Sequence, residues 1–270
     1  MQALVLKRFC YIKEITLSIL LLASVPAFAW GPQGHRITTR LAEPYLTKPT
    51  KSAIREILGN EDLAGAATWV DIMRSHPSPY WQDQAGAYHY VTVPPGRLYA
   101  DVGAPSWGDA MTALAGFRRT LKDPGSALAD KQLALRFSIH IVQDLHQPLH
   151  VGNGKDKGGN LFKLHFLGKP TNLHRVWDSD LLKSARRGES DWVRYLRRQL
   201  TPEQASAWTQ TDPNIWIAES ATLRDRVYPD SHQIGQTYIR QHLPAMQTRL
   251  RQTAIRLAAY LNELLGSQAL

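Results

Sequence analysis

Cysteine is nearly absent: Cys10 is the single one in 270 residues. That excludes a disulfide scaffold and a cysteine-based zinc ribbon. Any metal site must therefore use His, Asp, Glu or backbone groups. Internal repeats and low-complexity tracts are missing as well, and no Pro/Gly/Ser-rich linker divides the chain. Hydrophobic residues make up 43% and charged residues 20%, a globular balance rather than a disordered one. Acidic residues are in short supply, 23 against 32 Lys and Arg, which leaves a net charge of +9. Such a surplus can attract phosphate-rich polymers or anionic lipid, but by itself it is equally a plain soluble surface.

A long apolar run is also lacking. Ile15 to Leu22, interrupted by Thr16 and Ser18, is short for a membrane span of about 20 residues. It follows the basic Lys7, Arg8 and Lys13 and leads to Ala27-Phe28-Ala29. This is the order of a secretory signal peptide. Residues 1–29 are expected to be removed after Ala29, leaving residues 30–270 as one secreted or periplasmic domain. Cleavage discards Cys10, and with Lys7, Arg8, Lys13 and Glu14 gone the net charge becomes +7.

The rest reads as all-α, a single mainly helical domain with a small β-hairpin. Thr201-Pro202-Glu203-Gln204 has the N-cap, first-turn proline and capping-box glutamine of a helix start. Leu243, Met246, Leu250, Ala254, Leu257, Leu261 and Leu264 recur at helical spacing, with Gly266 as the stop. Further helices are expected from Ala127 to Leu145, ended by Pro148, and from Trp107 to Leu121. Between Leu161 and Leu167, Phe162, Leu164 and Phe166 alternate with Lys163 and His165, which predicts a strand and half a hairpin.

Histidine, by contrast, is plentiful, with ten residues. His140 and Asp144 are four apart and share a helix face. His174 and Asp178 repeat that spacing, and His150 follows the first pair closely enough to be turned back toward it. A lone buried histidine is ordinary; two such pairs and a third histidine point to a metal. Zinc accepts imidazole and carboxylate, magnesium prefers oxygen alone, and iron stays open on ligand type. Zinc is favoured because it supports hydrolysis without redox chemistry. Asp71 and His89 could add ligands, although by spacing alone Asp71 reads as a helix-surface residue and His89 as a packing one. The mature start, Trp30-Gly31-Pro32-Gln33-Gly34-His35, offers an amine of pKa about 7.7–8.0 and a nearby imidazole.

Together these segments resemble the zinc-dependent type I single-strand-specific nucleases. The likeness is carried by Trp30-Gly31 with His35, Trp69 to Arg74, Tyr88-His89-Tyr90, and His140 to Asp144. It continues through Gln147 to His150, Gly158-Gly159-Asn160, Asn172-Leu173-His174, Trp177-Asp178, and Asp212-Pro213 with Trp216, Glu219 and Ser220. The resemblance implies a phospholipase C/type I nuclease fold holding three zinc ions. One would be held by Asp71, His89, His140 and Asp144. A second would take the Trp30 amine and carbonyl, His35 and a bridging Asp144. The third would take His150, His174 and Asp178. Five histidines are then left over, and His146 reads as a supporting residue.

The implied activity is endonucleolytic hydrolysis of single-stranded DNA and RNA to 5′-phosphorylated products, with 3′-nucleotidase action. Asp71 and Arg74 would be catalytic, and Tyr90 and Asn160 would contact substrate. The expected partners are single-stranded DNA and RNA and nucleotides, with no obligate protein partner, and the protein is expected to act as a monomer. Two features depart from the family: the mature chain has no disulfide, and Thr92 stands where many relatives carry an acid. The charge and the neutral ligands predict a near-neutral to alkaline optimum. One competing reading is a zinc-dependent phospholipase C acting on phospholipid headgroups. Another is a non-catalytic exported zinc- or nucleic-acid-binding protein.

Overall fold

The computed structural model describes residues 30–266; the expected signal peptide, with Cys10, lies outside the described residues. Twelve α-helices occur among the described residues. The first six are α1 (Gly31–Ala42), α2 (Lys48–Leu58), α3 (Leu63–Met73), α4 (Tyr99–Val102), α5 (Ala110–Lys122) and α6 (Leu128–Asp144). Then follow α7 (Leu173–Arg175), α8 (Leu181–Ser184), α9 (Glu189–Gln199), α10 (Pro202–Ala207), α11 (Pro213–Arg224) and α12 (Gln236–Leu265). The all-α reading holds. No described helix is long and apolar enough to cross a membrane.

The frame is set by burial. α1 packs against α3, α9 and α12, while α6 packs against α3, α5 and α12. Every residue of α6 from Phe137 to Asp144 is buried, polar ones included. A helix buried all round in this way sits at the centre of a core rather than on its surface. α12 lays Leu250, Ala254, Leu257, Leu261 and Leu264 into that core, as their spacing predicts.

Two helix boundaries differ from expectation, while α6 keeps to its expected span with Ala127 and Leu145 as its caps. The helix expected from Trp107 begins at Ala110, because Asp109 caps it by accepting from Thr112 N and also takes the Tyr99 hydroxyl at 2.7 Å. Trp107 is left 73% exposed. α12 starts seven residues before Leu243 and continues through Pro244. Its first turns are docked by tertiary bonds, since Tyr238 accepts from Trp177 Nε1 at 2.9 Å and donates to Val227 O at 2.6 Å. α6 stops at Asp144, before Pro148. Its terminal carbonyls turn to outside donors: Ser220 Oγ bonds Leu145 O at 2.6 Å and Arg249 Nε bonds His146 O at 3.0 Å.

The hairpin forms from β3 (Lys163–Phe166) and β4 (Lys169–Asn172), turning at Leu167-Gly168 with φ of 52° and 80°. Two positive φ values in a two-residue loop suit the twist of the strands they join. A third strand, β5 (Gln233–Ile234), runs parallel to β3, and β1 (Val91–Thr92) pairs in parallel with β2 (Val151–Gly152). Neither was expected, because two-residue ladders leave no periodic trace. The β1–β2 pair ties the chain after His89 to the chain after His150.

Arg224 secures that tie. Its fully buried guanidinium places Nη1 within 2.6, 2.8 and 3.1 Å of the carbonyls of Val93, Val151 and Gly152. Arg224→Met should cost about 3 kcal/mol, since it strands three buried acceptors. The shift of the urea midpoint measures it, and a loss under about 0.5 kcal/mol, the range of ordinary surface changes, would refute the assignment.

Candidate metal centre

Eight side chains from six separate stretches meet at one buried place. Pro32 opens the first turn of α1, which carries His35 one turn on. Asp71 lies in the last turn of α3, beyond its apolar face of Leu63, Ala66, Ala67 and Val70. His89 ends a 3-10 segment, Ala85–His89. His140 and Asp144 occupy the last turns of α6. His150 closes a second 3-10 segment, Pro148–His150, capped when Gln147 Oε1 accepts from Leu149 N. His174 and Asp178 span α7 and a π-helical segment, Val176–Asp180. Asp71 and His89, bland by spacing, both belong to the cluster.

The donor atoms lie at the separations of neighbouring ligands. His140 Nε2 is 3.2 Å from Asp144 Oδ2 and 3.8 Å from Asp71 Oδ1. His89 Nδ1 is 3.1 Å from Asp144 Oδ2 and 3.0 Å from His140 Nε2. The other oxygen, Asp144 Oδ1, is 3.4 Å from His35 Nε2. His174 Nε2 is 3.3 Å from Asp178 Oδ2, and His150 Nε2 is 3.9 Å from Asp178 Oδ1. Bonds of about 2.0–2.2 Å to one tetrahedral ion place adjacent ligands about 3.3–3.6 Å apart. Three groups result, each able to hold a metal ion: Asp71, His89 and His140; His35, His140 and Asp144; His150, His174 and Asp178. Asp144 turns one oxygen toward His89 and the other toward His35, the disposition of a bridge.

The surroundings aim these atoms. A carbonyl can only accept, so the Nδ1 atoms of His140, His150 and His174 donate to the carbonyls of Ala67 (2.8 Å), His89 (2.5 Å) and Gly158 (2.7 Å). His35 Nδ1 does the same to Gln143 Oε1 at 2.8 Å. Each such bond fixes the tautomer and leaves Nε2 bare toward the cluster. His89 is reversed and presents Nδ1. Several of the inward atoms have no protein partner: His35 Nε2, both oxygens of Asp71, Asp144 Oδ1, His150 Nε2 and Asp178 Oδ2. Buried polar atoms are normally bonded, so this concentration of inward-facing orphans fits a cation-binding site.

Electrostatics agrees. Burial, with neighbouring imidazoles, holds His35, His89 and His150 well below the usual histidine value, and burial takes His174 down to about 4. Those rings are neutral and ready to ligate. Burial also lifts Asp178 well above the usual carboxylate value and Asp144 to about 7. Burial works against charge on His140, yet the carboxylates of Asp144 and Asp71 outweigh it and raise it to about 9.

Trp30 is seated beside this cluster. Its indole is buried and donates to Gln143 O at 2.9 Å, and its carbonyl accepts from Gly34 N at 3.0 Å. Gly31 has φ +47°, and a Cβ there would come within 2.5 Å of Ser179 Oγ, so only glycine passes. In the full chain the Trp30 nitrogen is in peptide linkage to Ala29. Arg74, Tyr90 and Asn160 line a cavity of about 440 Å³ together with His89, His150 and His174. Arg74 Nη1 is 3.9 Å from Asp71 Oδ1. Tyr90 is 45% exposed, so its ring is not core packing. Asn160 spends its amide nitrogen on Lys157 O at 2.9 Å, leaving its carbonyl oxygen for a ligand.

His146 is a buttress, bonding Val142 O at 2.6 Å and facing Trp216. Sequence reasoning missed the orienting groups. Gln143 lies inside the His140–Asp144 motif and was findable there. Gly158 O and Ala67 O are backbone atoms with no sequence signal.

The family model described as S1/P1 Nuclease matches residues 30–266. Endonuclease 4 of Arabidopsis thaliana is 28% identical over 275 residues, 90% of this chain and 91% of that protein. Nuclease S1 of Aspergillus oryzae is 28% identical over 273 residues, 89% of this chain and 93% of its own length. Nuclease P1 of Penicillium citrinum is 26% identical over 274 residues, 88% of this chain and 99% of its own.

Two outcomes follow from the site. In metal-free protein at pH 6, both His140 and Asp144 hold protons that a metal must displace. Of these two, Asp144 has given up its proton at pH 8 while His140 keeps its own, by the raised values above. Metal binding should therefore release more protons at pH 6 than at pH 8, with apparent affinity rising over that interval. Calorimetry in buffers of different ionisation enthalpy reads this, and equal release at both pH values would contradict it. Gly158→Ala would place a Cβ 2.2 Å from Leu149 O at φ +61°. It should disturb the Gly158–His174 bond and weaken metal retention by about 10–100-fold, read as metal content after dialysis against a weak chelator.

Proposed function

Because the chain belongs to the S1/P1 nuclease family, we propose that this phosphodiester hydrolase is an exported, zinc-dependent endonuclease of single-stranded DNA and RNA. It would leave 5′-phosphorylated products and also remove 3′-phosphates from nucleotides. The observation that carries the reading is the convergence of three buried His/Asp donor groups behind a cavity that His89, His150 and His174 line together with an exposed tyrosine and an arginine.

The residues divide the work as follows. Asp71, His89, His140 and Asp144 would hold one zinc. His35, Asp144 and the Trp30 amine and carbonyl would hold a second, and His150, His174 and Asp178 a third. Zinc bound there supplies Lewis acidity, making water a nucleophile near neutral pH and offsetting charge on the phosphoryl group. Asp71 orients the attacking water. Its oxygen forms a new bond to phosphorus while the bond from phosphorus to the 3′-oxygen breaks, and that oxygen leaves with a proton as a 3′-hydroxyl. Arg74 neutralises the non-bridging oxygens as charge builds there. Tyr90 offers a face on which an unpaired base can stack, and duplex bases have no such free face. The Asn160 carbonyl accepts from a base or sugar donor.

Export is part of the same proposal, because only removal of residues 1–29 frees the Trp30 amine. The decisive comparison is zinc-loaded protein beginning at Trp30 beside the same protein with one extra N-terminal Met. Single-stranded oligonucleotide should be cut by the Trp30 form at least tenfold faster. Equal cutting would remove the amine from the ligand set. Cutting by neither, with headgroup release from phospholipid vesicles, would replace the nuclease with a phospholipase.

A further inference from the structure

We propose that Lys157 grips the phosphate adjoining the scissile one in a single-stranded substrate; the claim rests on the nuclease reading above. Lys157 lines the same cavity as Arg74, Tyr90 and the cluster histidines. It is exposed and forms no ion pair with a described residue.

Its backbone is unusual. Lys157, Gly158 and Gly159 have φ of 55°, 61° and 79°, three left-handed residues in succession. Glycine is needed at 158, where a Cβ would meet Leu149 O at 2.2 Å, and suits 159, where it would lie 3.3 Å from His174 N and Leu173 Cβ. At 157 the same conformation is adopted by a lysine, although glycine takes it without a steric penalty. A residue kept against its backbone preference at a cavity wall points to a task for its side chain.

The turn also fixes where that side chain starts. Asp156 accepts from Gly159 N at 3.0 Å and from the Tyr228 hydroxyl at 2.8 Å. Both of its oxygens are thus engaged by other donors. Asn160 Nδ2 bonds Lys157 O at 2.9 Å and holds the turn from the other end. Gly158 O accepts from His174 Nδ1, so the imidazole of His174 stands between the turn and the Nε2 donor it presents. Lys157 is thus carried one residue before the carbonyl that holds the His174 ring, on the wall of the cavity that His174 also lines, and its ammonium is assigned to the phosphate next to the one at the metal ligands. A lysine there acts as a compact, strongly hydrated positive charge, suited to a mobile backbone phosphate.

The test compares a dinucleoside monophosphate, which has only the scissile phosphate, with a tetranucleotide of the same bases. Wild type, Lys157→Gly, Lys157→Asn and Lys157→Arg are assayed loaded with zinc. Glycine and asparagine both accept the left-handed backbone, so neither variant should melt below wild type. In both, KM for the tetranucleotide should rise about fivefold while kcat stays within about twofold, the signature of lost ground-state binding. The slope of log KM against log salt should fall by about 0.7, the contribution of one phosphate contact on a single strand. K157R should keep the wild-type KM. Equal loss on both substrates, or no loss on the tetranucleotide, overturns the proposal while leaving the nuclease intact. A wild type that cuts neither substrate overturns the nuclease reading itself.

Discussion

The structure depends on keeping three carboxylates and five imidazoles together, nearly dry, at one place. Burial raises the pKa of a carboxylate and lowers that of an imidazole, and in this cluster His140, set against Asp144 and Asp71, is the imidazole that runs the other way. Without compensation the cluster is a set of stranded charges and empty donor positions. A cation resolves both problems at once, by drawing protons from the carboxylates and filling the positions that the imidazole nitrogens face. The donor separations near 3.0–3.9 Å and the orphaned inward atoms express that one constraint.

The frame serves this constraint by being stiff where it must aim and irregular where it must turn. α1, α3 and α6 deliver His35, Asp71, His140 and Asp144 from packed helices. The other four come from 3-10, α7 and π segments, whose short turns direct side chains in ways a long helix cannot. The end of α6 joins the two regimes. There Ser220 and Arg249 take the loose carbonyls of Leu145 and His146, while Arg249 and Arg256 share Glu219. Glu219, held below the usual carboxylate value despite burial by its bonds to Arg256 and Arg249, keeps that brace charged. Residues far along the chain thus decide how the last turn before Gln147 is set.

Much of this was legible beforehand. The spacing of α12, the cap of α10 and the alternating hairpin were readable because each rests on local chemistry with a fixed period. The paired His-x-x-x-Asp spacings were readable for the same reason: four residues on a helix bring two side chains to one face. Asp71 and His89 were not persuasive by spacing, because each belongs to the cluster only through contacts with chain 51–69 residues away, His140 for Asp71 and His140 and Asp144 for His89. The early start of α12 was hidden because Tyr238 is held by Trp177 and Val227 rather than by a periodic neighbour. The parallel β1–β2 pair was hidden because two residues carry no pattern.

The sequence by itself determined the helical class, the ligand types and their pairing in i, i+4 steps, since these follow from backbone geometry and side-chain chemistry over a few residues. Tertiary structure alone decided which donors come close enough to share an ion, which nitrogen each histidine presents and which way Asp144 turns its two oxygens. Those are properties of distances across the core and of backbone carbonyls, and a carbonyl is the same atom in every residue, so no letter in the chain can announce it.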